Sequence, residues 1–169
     1  DRCVGEGRMC GIKLWVARRA TDPGLDPIME KAVDLDVPVL QHAWIKTTGN
    51  LVGESFPADV ADLARRYPEA KIVMAHLNGV GLRGIEDVAD CPNIVVDTSG
   101  GDPESGMVEV AVEVLGADRV VYGSDAPIRH FGVSVGKVLG AGFPEQVQKE
   151  ILWNNTARLL PSWAEVKQI

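Results

Sequence analysis

The sequence predicts an α/β domain built on a parallel sheet, and three observations predict it. Short apolar, β-branched runs recur along the chain, helical patterns separate them, and the runs are nearly continuous in apolar character instead of alternating. That character predicts strands buried on both faces. Size and composition agree: 169 residues, 46% hydrophobic and 24% charged, describe an ordinary globular chain. A chain of this length hides roughly 70% of the surface its unfolded form exposes, so a core forms without disulfide or metal staples.

Five strands are expected, at residues 11–16, 37–42, 71–76, 93–97 and 119–123. The first helix falls over 26–35. The second runs over 57–67, with Pro57 in its opening turn and Pro68 ending it. A short helix over 82–89 and a longer one from Pro103 to Leu115 follow, then helical patterns over 133–139, 144–153 and 154–160 that close on Pro161. With no internal repeat or linker, residues 1–169 read as a single domain.

Seventeen basic against twenty-four acidic side chains give a formal charge of -7, which repels phosphate backbones and anionic membrane surfaces. Nucleic acid and membrane are therefore not expected partners. Cys3, Cys10 and Cys91 are odd in number and lack C-x-x-C spacing, so they read as idle or buried thiols in a reducing cytoplasm. No apolar stretch reaches membrane-spanning length. The opening run, residues 1–7, reads as a mid-chain connection, which suggests a fragment of a longer protein.

The polar residues that interrupt the apolar runs share one edge. His42, His76 and Asp97 end their strands, and Asp125 stands two residues past Gly123. In parallel α/β folds, ligands bind at the carboxyl ends of strands, where βα loops gather. Imidazole and carboxylate are natural ligands for a divalent metal, and metal-bound water becomes a nucleophile near neutral pH. His42 and His76 could each be a satisfied core histidine, and Asp97 with Thr98 and Ser99 suits an Asx-type turn. Their alignment at equivalent strand ends, in a chain holding three histidines, favours function. His130 and Arg129, in the loop after the fifth strand, suit substrate contact or plain solvent exposure. Trp15 and Trp44 are expected to pack in the core in preference to walling a pocket.

A rival reading is local. Gly79-Val80-Gly81-Leu82-Arg83-Gly84 is a G-x-G-x-x-G directly after a strand, with Asp97 ending the next strand about 20 positions on, which is the dinucleotide-binding fingerprint of a Rossmann-like open sheet. It sits mid-chain, before a short helix, instead of at the first βα turn. The third alternative is a noncatalytic α/β fragment.

The segments 38–42, 67–76, 93–99 and 116–127, the last carrying Gly123-Ser124-Asp125, together with the tail 151–160, resemble the amidohydrolase-related branch (amidohydrolase 2) of the amidohydrolase superfamily. The resemblance covers residues 10–160. It implies a TIM-barrel-type (β/α)8 fold, represented here by its last five βα units as the C-terminal portion, and a metal-dependent hydrolase, or a non-oxidative decarboxylase using the same site. It implies His42 as a metal ligand, His76 as a ligand or electrophilic helper, and Asp125 as a ligand that shuttles the proton of the attacking water, with zinc, or else manganese, as the cofactor. The substrate would be a small molecule bearing an amide, ester or lactone. Lys13 lies where binuclear relatives place a bridging carboxylated lysine, and otherwise suits a substrate anion or solvent. The family's first-strand His-x-His is absent from this sequence, as are three strands, so the chain alone is expected to lack turnover. Open sheet edges predict a homo-oligomer or association with a missing barrel half.

Overall fold

Five parallel strands stand side by side in chain order, β1 (Ile12–Leu14), β2 (Val39–Gln41), β3 (Ile72–Met74), β4 (Ile94–Asp97) and β5 (Val120–Val121). The structure is a computed structural model that describes residues 2–101 and 104–164. Helices α1 (Asp26–Asp34), α2 (Pro57–Arg66), α3 (Leu77–Asp87) and α4 (Met107–Leu115) make the crossovers, and α5 (Phe131–Gly140), α6 (Glu145–Lys149) and α7 (Asn155–Leu159) follow β5. The five strands fall within the predicted apolar runs, and the helices between them follow the predicted order. The expected helix start at Pro103 lies outside the described residues, as does Asp1 of the opening run.

Register decides which side chains share a face. Ile12, Val39, Ile72 and Ile94 are cross-strand partners, and Val39, Ile72 and Ile94 are wholly buried beneath the helices. Full burial of one such side chain contributes about 1.5–3 kcal/mol. One position on, Lys13, Leu40, Val73 and Val95 line the opposite, inner face. There Lys13 is exposed and Leu40 and Val73 half-buried, so the expectation of burial on both faces holds only on the helix side. No strand pairs with the outer edges of β1 and β5 among the described residues.

The helices hold by a few specific devices. Asp59 accepts the Phe56 N–H (2.9 Å) at the start of α2, where Pro57 occupies the first turn. After α6 the chain widens into a π-helical turn over Glu150–Asn154. The Ile151 carbonyl within that turn accepts the Tyr122 N–H (2.8 Å), and Asn155, buried, donates to the carbonyls of Ala117 and Val120 (2.7 Å each). The closing helical stretch is thereby fastened to β5.

The dinucleotide reading is overturned here. The strand order has no reversal, so the sheet lacks the crevice at which a Rossmann-like fold binds its ligand. The glycines have packing reasons. A Cβ on Gly79 would lie 2.7 Å from the Trp44 indole, one on Gly84 would meet the Val80 side chain, and Gly81, at φ 62° and ψ -165°, kinks α3 in a conformation open to glycine. The helix begins at Leu77, five residues before its expected start, because His76 adopts a left-handed backbone (φ 76°) that turns β3 straight into α3.

Candidate active site

Strand parity sets the site. Leu40, Val73 and Val95 face inward, so His42, Ala75 and Asp97, each two residues further on, face inward one layer higher. His76 breaks parity by one residue, and its left-handed backbone redirects it. That turn aims the His76 N–H at the Asp97 carboxylate on the next strand (3.0 Å). Asp125 also has a left-handed backbone (φ 56°). Such conformations cost of order 1–3 kcal/mol and gather at functional positions.

The structure brings His42 and His76 together and buries both to 6% exposure. His76 Nε2 lies 3.1 Å from His42 Nδ1. Each ring has its other nitrogen fixed by a further partner: His42 Nε2 by Glu54 (2.7 Å), and His76 Nδ1 by the Ser99 hydroxyl (2.9 Å). Ser99 Oγ in turn donates to Asp97 in a short contact, and Asp97 also accepts the Ser99 N–H (2.9 Å), which is the expected Asx-type turn. At the far end, Glu54 Oε2 takes the Lys46 ammonium (2.8 Å) and the Leu51 N–H (2.9 Å). Burial alone would raise the Glu54 carboxyl, but these partners and His42 hold it at about 2, so it is ionised. Desolvation lowers both histidines, His76 to about 4 with His42 and Lys13 adding to the effect, while Glu54 partly offsets the shift on His42.

Counting hydrogens along this chain is informative. Four links run Asp97–Ser99–His76–His42–Glu54, yet one hydroxyl and two neutral imidazoles supply only three hydrogens. With Glu54 and Asp97 both accepting, the deficit falls between the rings, where two lone pairs face each other. A cation between the rings would relieve that arrangement. Imidazole nitrogens about 2.0–2.1 Å from a shared divalent ion stand about 3 Å apart, which matches the observed 3.1 Å. Carboxylate and hydroxyl partners behind the rings are the usual support of metal-binding histidines. His42 Nδ1 and His76 Nε2 are therefore two donors of the kind a divalent metal takes.

Asp125 does not complete that set. It is half-buried on the wall of a groove of about 710 Å³ that His76, Asp97, Ser99 and Lys13 also line, and its nearest cation is Arg129 Nε at 4.0 Å. Among the described residues no three histidine, cysteine or acidic side chains are gathered closely enough to hold a metal ion. His130 caps α5, its Nδ1 accepting the Gly132 N–H (3.2 Å), and is exposed. Trp44 stands 5.1 Å from the His76 ring and 6.1 Å from the His42 ring, half-buried, and so walls the site. Trp15 is 63% exposed, against the expectation of core packing.

Sequence reasoning missed Glu54, Ser99 and Lys46. Ser99 carried a signal, two residues after a strand-ending aspartate, whereas Glu54 lies in the irregular segment between β2 and α2 and carried none. Gly123 belongs to the site by what it lacks: a Cβ there would lie 2.7 Å from the Asp97 carboxyl carbon.

A family model described as amidohydrolase matches residues 1–162. No curated protein sequence matches the chain. Among solved structures, a dihydroxybenzoic acid decarboxylase from Polaromonas, crystallised with manganese and the inhibitor 2-nitroresorcinol, is matched over 94% of this chain and 62% of its own, with 17% identity and a TM-score of 0.67. A Pseudomonas putida structure described as a 2-pyrone-4,6-dicarboxylic acid hydrolase on tentative assignment is matched over 89% of this chain and 63% of its own (21% identity, TM-score 0.65). A TIM-barrel protein from Bordetella bronchiseptica, itself without assigned activity, is matched over 83% and 51% (19% identity, TM-score 0.69). The chain thus spans about half to two thirds of the length of the structures it matches. At these identities the likeness shows the fold alone: a (β/α)8 barrel represented by five of its βα units.

Proposed function

Because the chain belongs to the amidohydrolase family, we propose that its protein is a metal-dependent enzyme that hydrolyses an amide, ester or lactone of a small molecule. The facing lone pairs of His42 and His76, held 3.1 Å apart by Glu54 on one side and Ser99 with Asp97 on the other, carry this reading. Zinc suits imidazole and carboxylate donors, and manganese is the ion in one structural neighbour. A divalent ion bound there would supply a Lewis acid and a source of hydroxide at neutral pH.

The chain's own residues divide the remaining work. Glu54 and Ser99 fix the tautomers of the two imidazoles so that both present a lone pair to the same point. Asp125, half-buried on the groove wall, accepts the proton of the nucleophile and returns it to the leaving group. Trp44 closes one side against water. The remaining barrel strands, or another copy, complete the groove. The three free thiols suit a cytoplasmic setting, and no helix among the described residues is long and apolar enough to cross a membrane.

One observation favours a second reading, non-oxidative decarboxylation: the groove wall carries the Lys13 ammonium, suited to an acidic substrate. Asp125 would then deliver the proton that replaces the carboxylate. Elemental analysis of the purified protein tests the shared premise. About one divalent ion per chain is expected, lost in His42→Ala, with activity lost in Asp125→Asn. Metal-free protein of undiminished activity would overturn it, and assays for released CO2 against released acid separate the two reactions.

A further inference from the structure

One wholly buried polar side chain next to the imidazole pair is not explained by packing. Gln41 ends β2 on the helix-covered side, where its cross-strand partners Leu14 and Met74 are buried and apolar. Its Oε1 is buried with no hydrogen-bond partner among the described residues. A methionine would fill the same space without stranding an acceptor, so the glutamine is held there by what its amide N–H groups do. They donate to the His42 carbonyl (2.9 Å) and to the Ser55 hydroxyl (3.3 Å).

Ser55, also wholly buried, follows Glu54 in the chain. Two neighbouring pairs are thus tied together twice: His42 to Glu54 (2.7 Å) on the inner face of β2, and Gln41 to Ser55 on the opposite face. The segment that carries Glu54 has no regular structure of its own, and Ser55 is where it is fastened. Its hydroxyl also accepts the Ala20 N–H (2.9 Å), and its carbonyl accepts the Trp44 N–H (3.1 Å). One hydrogen bond to His42 would leave Glu54 free to pivot about β2, whereas a second tie from the far side fixes its approach. We propose that Gln41 is a positioning residue for the imidazole pair: acting through Ser55, it holds Glu54 against His42 and so sets the tautomer in which His42 Nδ1 keeps its lone pair. The use of that lone pair rests on the metal reading proposed above; the tie itself does not.

The test reads the two separately. Long-range proton–nitrogen NMR of the metal-free protein, at a pH where both rings are neutral, shows which nitrogen of His42 carries the hydrogen. The native protein should show one tautomer, with the hydrogen on Nε2. Gln41→Met should give a mixture of tautomers and bind zinc about tenfold more weakly in a chelator competition, the scale on which partners behind a ligand act. Ser55→Ala cuts the same tie and should mix the tautomers too, which keeps the test open should Gln41→Met fail to fold. Glu54→Gln should also weaken zinc binding, and adding Gln41→Met to it should cost nothing more, because the glutamine acts through that carboxylate; a merely structural loss would add. A single Nε2–H tautomer in the folded variants, or additive losses, would overturn the assignment. Tautomer mixing in Gln41→Met of a protein that binds no zinc would uphold the tie and sink the metal reading.

Discussion

Glu54 is wholly buried and yet ionised, which makes it the residue on which acid acts most directly. Its carboxyl is depressed in the folded state to about 2. Its contribution is therefore present above the unfolded value near 4.5 and is lost as pH falls from there toward 2. His76, lowered to about 4, works in the same direction from about 6.5 downward, because the unfolded chain takes up that proton first. Glu54→Gln should lower stability by about 1–2 kcal/mol at pH 7, after allowance for the partly exposed Lys46, and should flatten the loss below pH 4.5 while leaving the loss above it. Thermal midpoints at pH 7, 5 and 3 check this, and an unchanged acid limb would refute it. Gly123→Ala, whose Cβ would press on Asp97, should cost about 1–3 kcal/mol in a urea titration and disturb His76 through its lost N–H bond. His42 and Asp97 were legible because a polar group ending an apolar run is itself a signal. The inward turn of His76 was not, because strand parity points it outward and only a left-handed backbone reverses that.

At the scale of elements, the closing helical stretch shows what sequence patterns do not carry. Its amphipathic spacing predicts two helices, but the π-helical turn between them depends on Tyr122 finding the Ile151 carbonyl, a contact between distant parts of the chain. Asn155 is the second fastening, with two carbonyls depending on its amide. Asn155→Ala should destabilise by about 2–4 kcal/mol, since it removes two hydrogen bonds and strands buried carbonyls. The measurement is the urea midpoint, and hydrogen exchange should accelerate at Tyr122 before it does in β2 and β3. The early start of α3 was hidden for a related reason: Gly79 and Gly81 stand ahead of the expected helix start, but one makes room for Trp44 and the other kinks the helix.

For the whole molecule, the central fact is a sheet sealed by helices on one side and open on the other. The alternation of runs implied the parallel direction of the strands correctly, their order followed from the barrel resemblance, and near-continuous apolarity implied burial of the inner face, which in a barrel depends on strands beyond those described here. A 169-residue chain produced alone is expected to associate through the edges of β1 and β5 and the half-buried Leu40 and Val73. Light scattering should show mass rising with concentration, and a monomer at every concentration would contradict the expectation.

The unreversed strand order has one more consequence. Because each strand lies beside its successor, His42, His76, Asp97 and Asp125 stand round the rim as hours stand on a clock face, in the sequence in which the ribosome adds them. Lengthening any one βα connection changes what hangs over a single hour and leaves the neighbouring hours in place. Variation in substrate taste can therefore accumulate sector by sector, without retuning the paired imidazoles at the dial's centre.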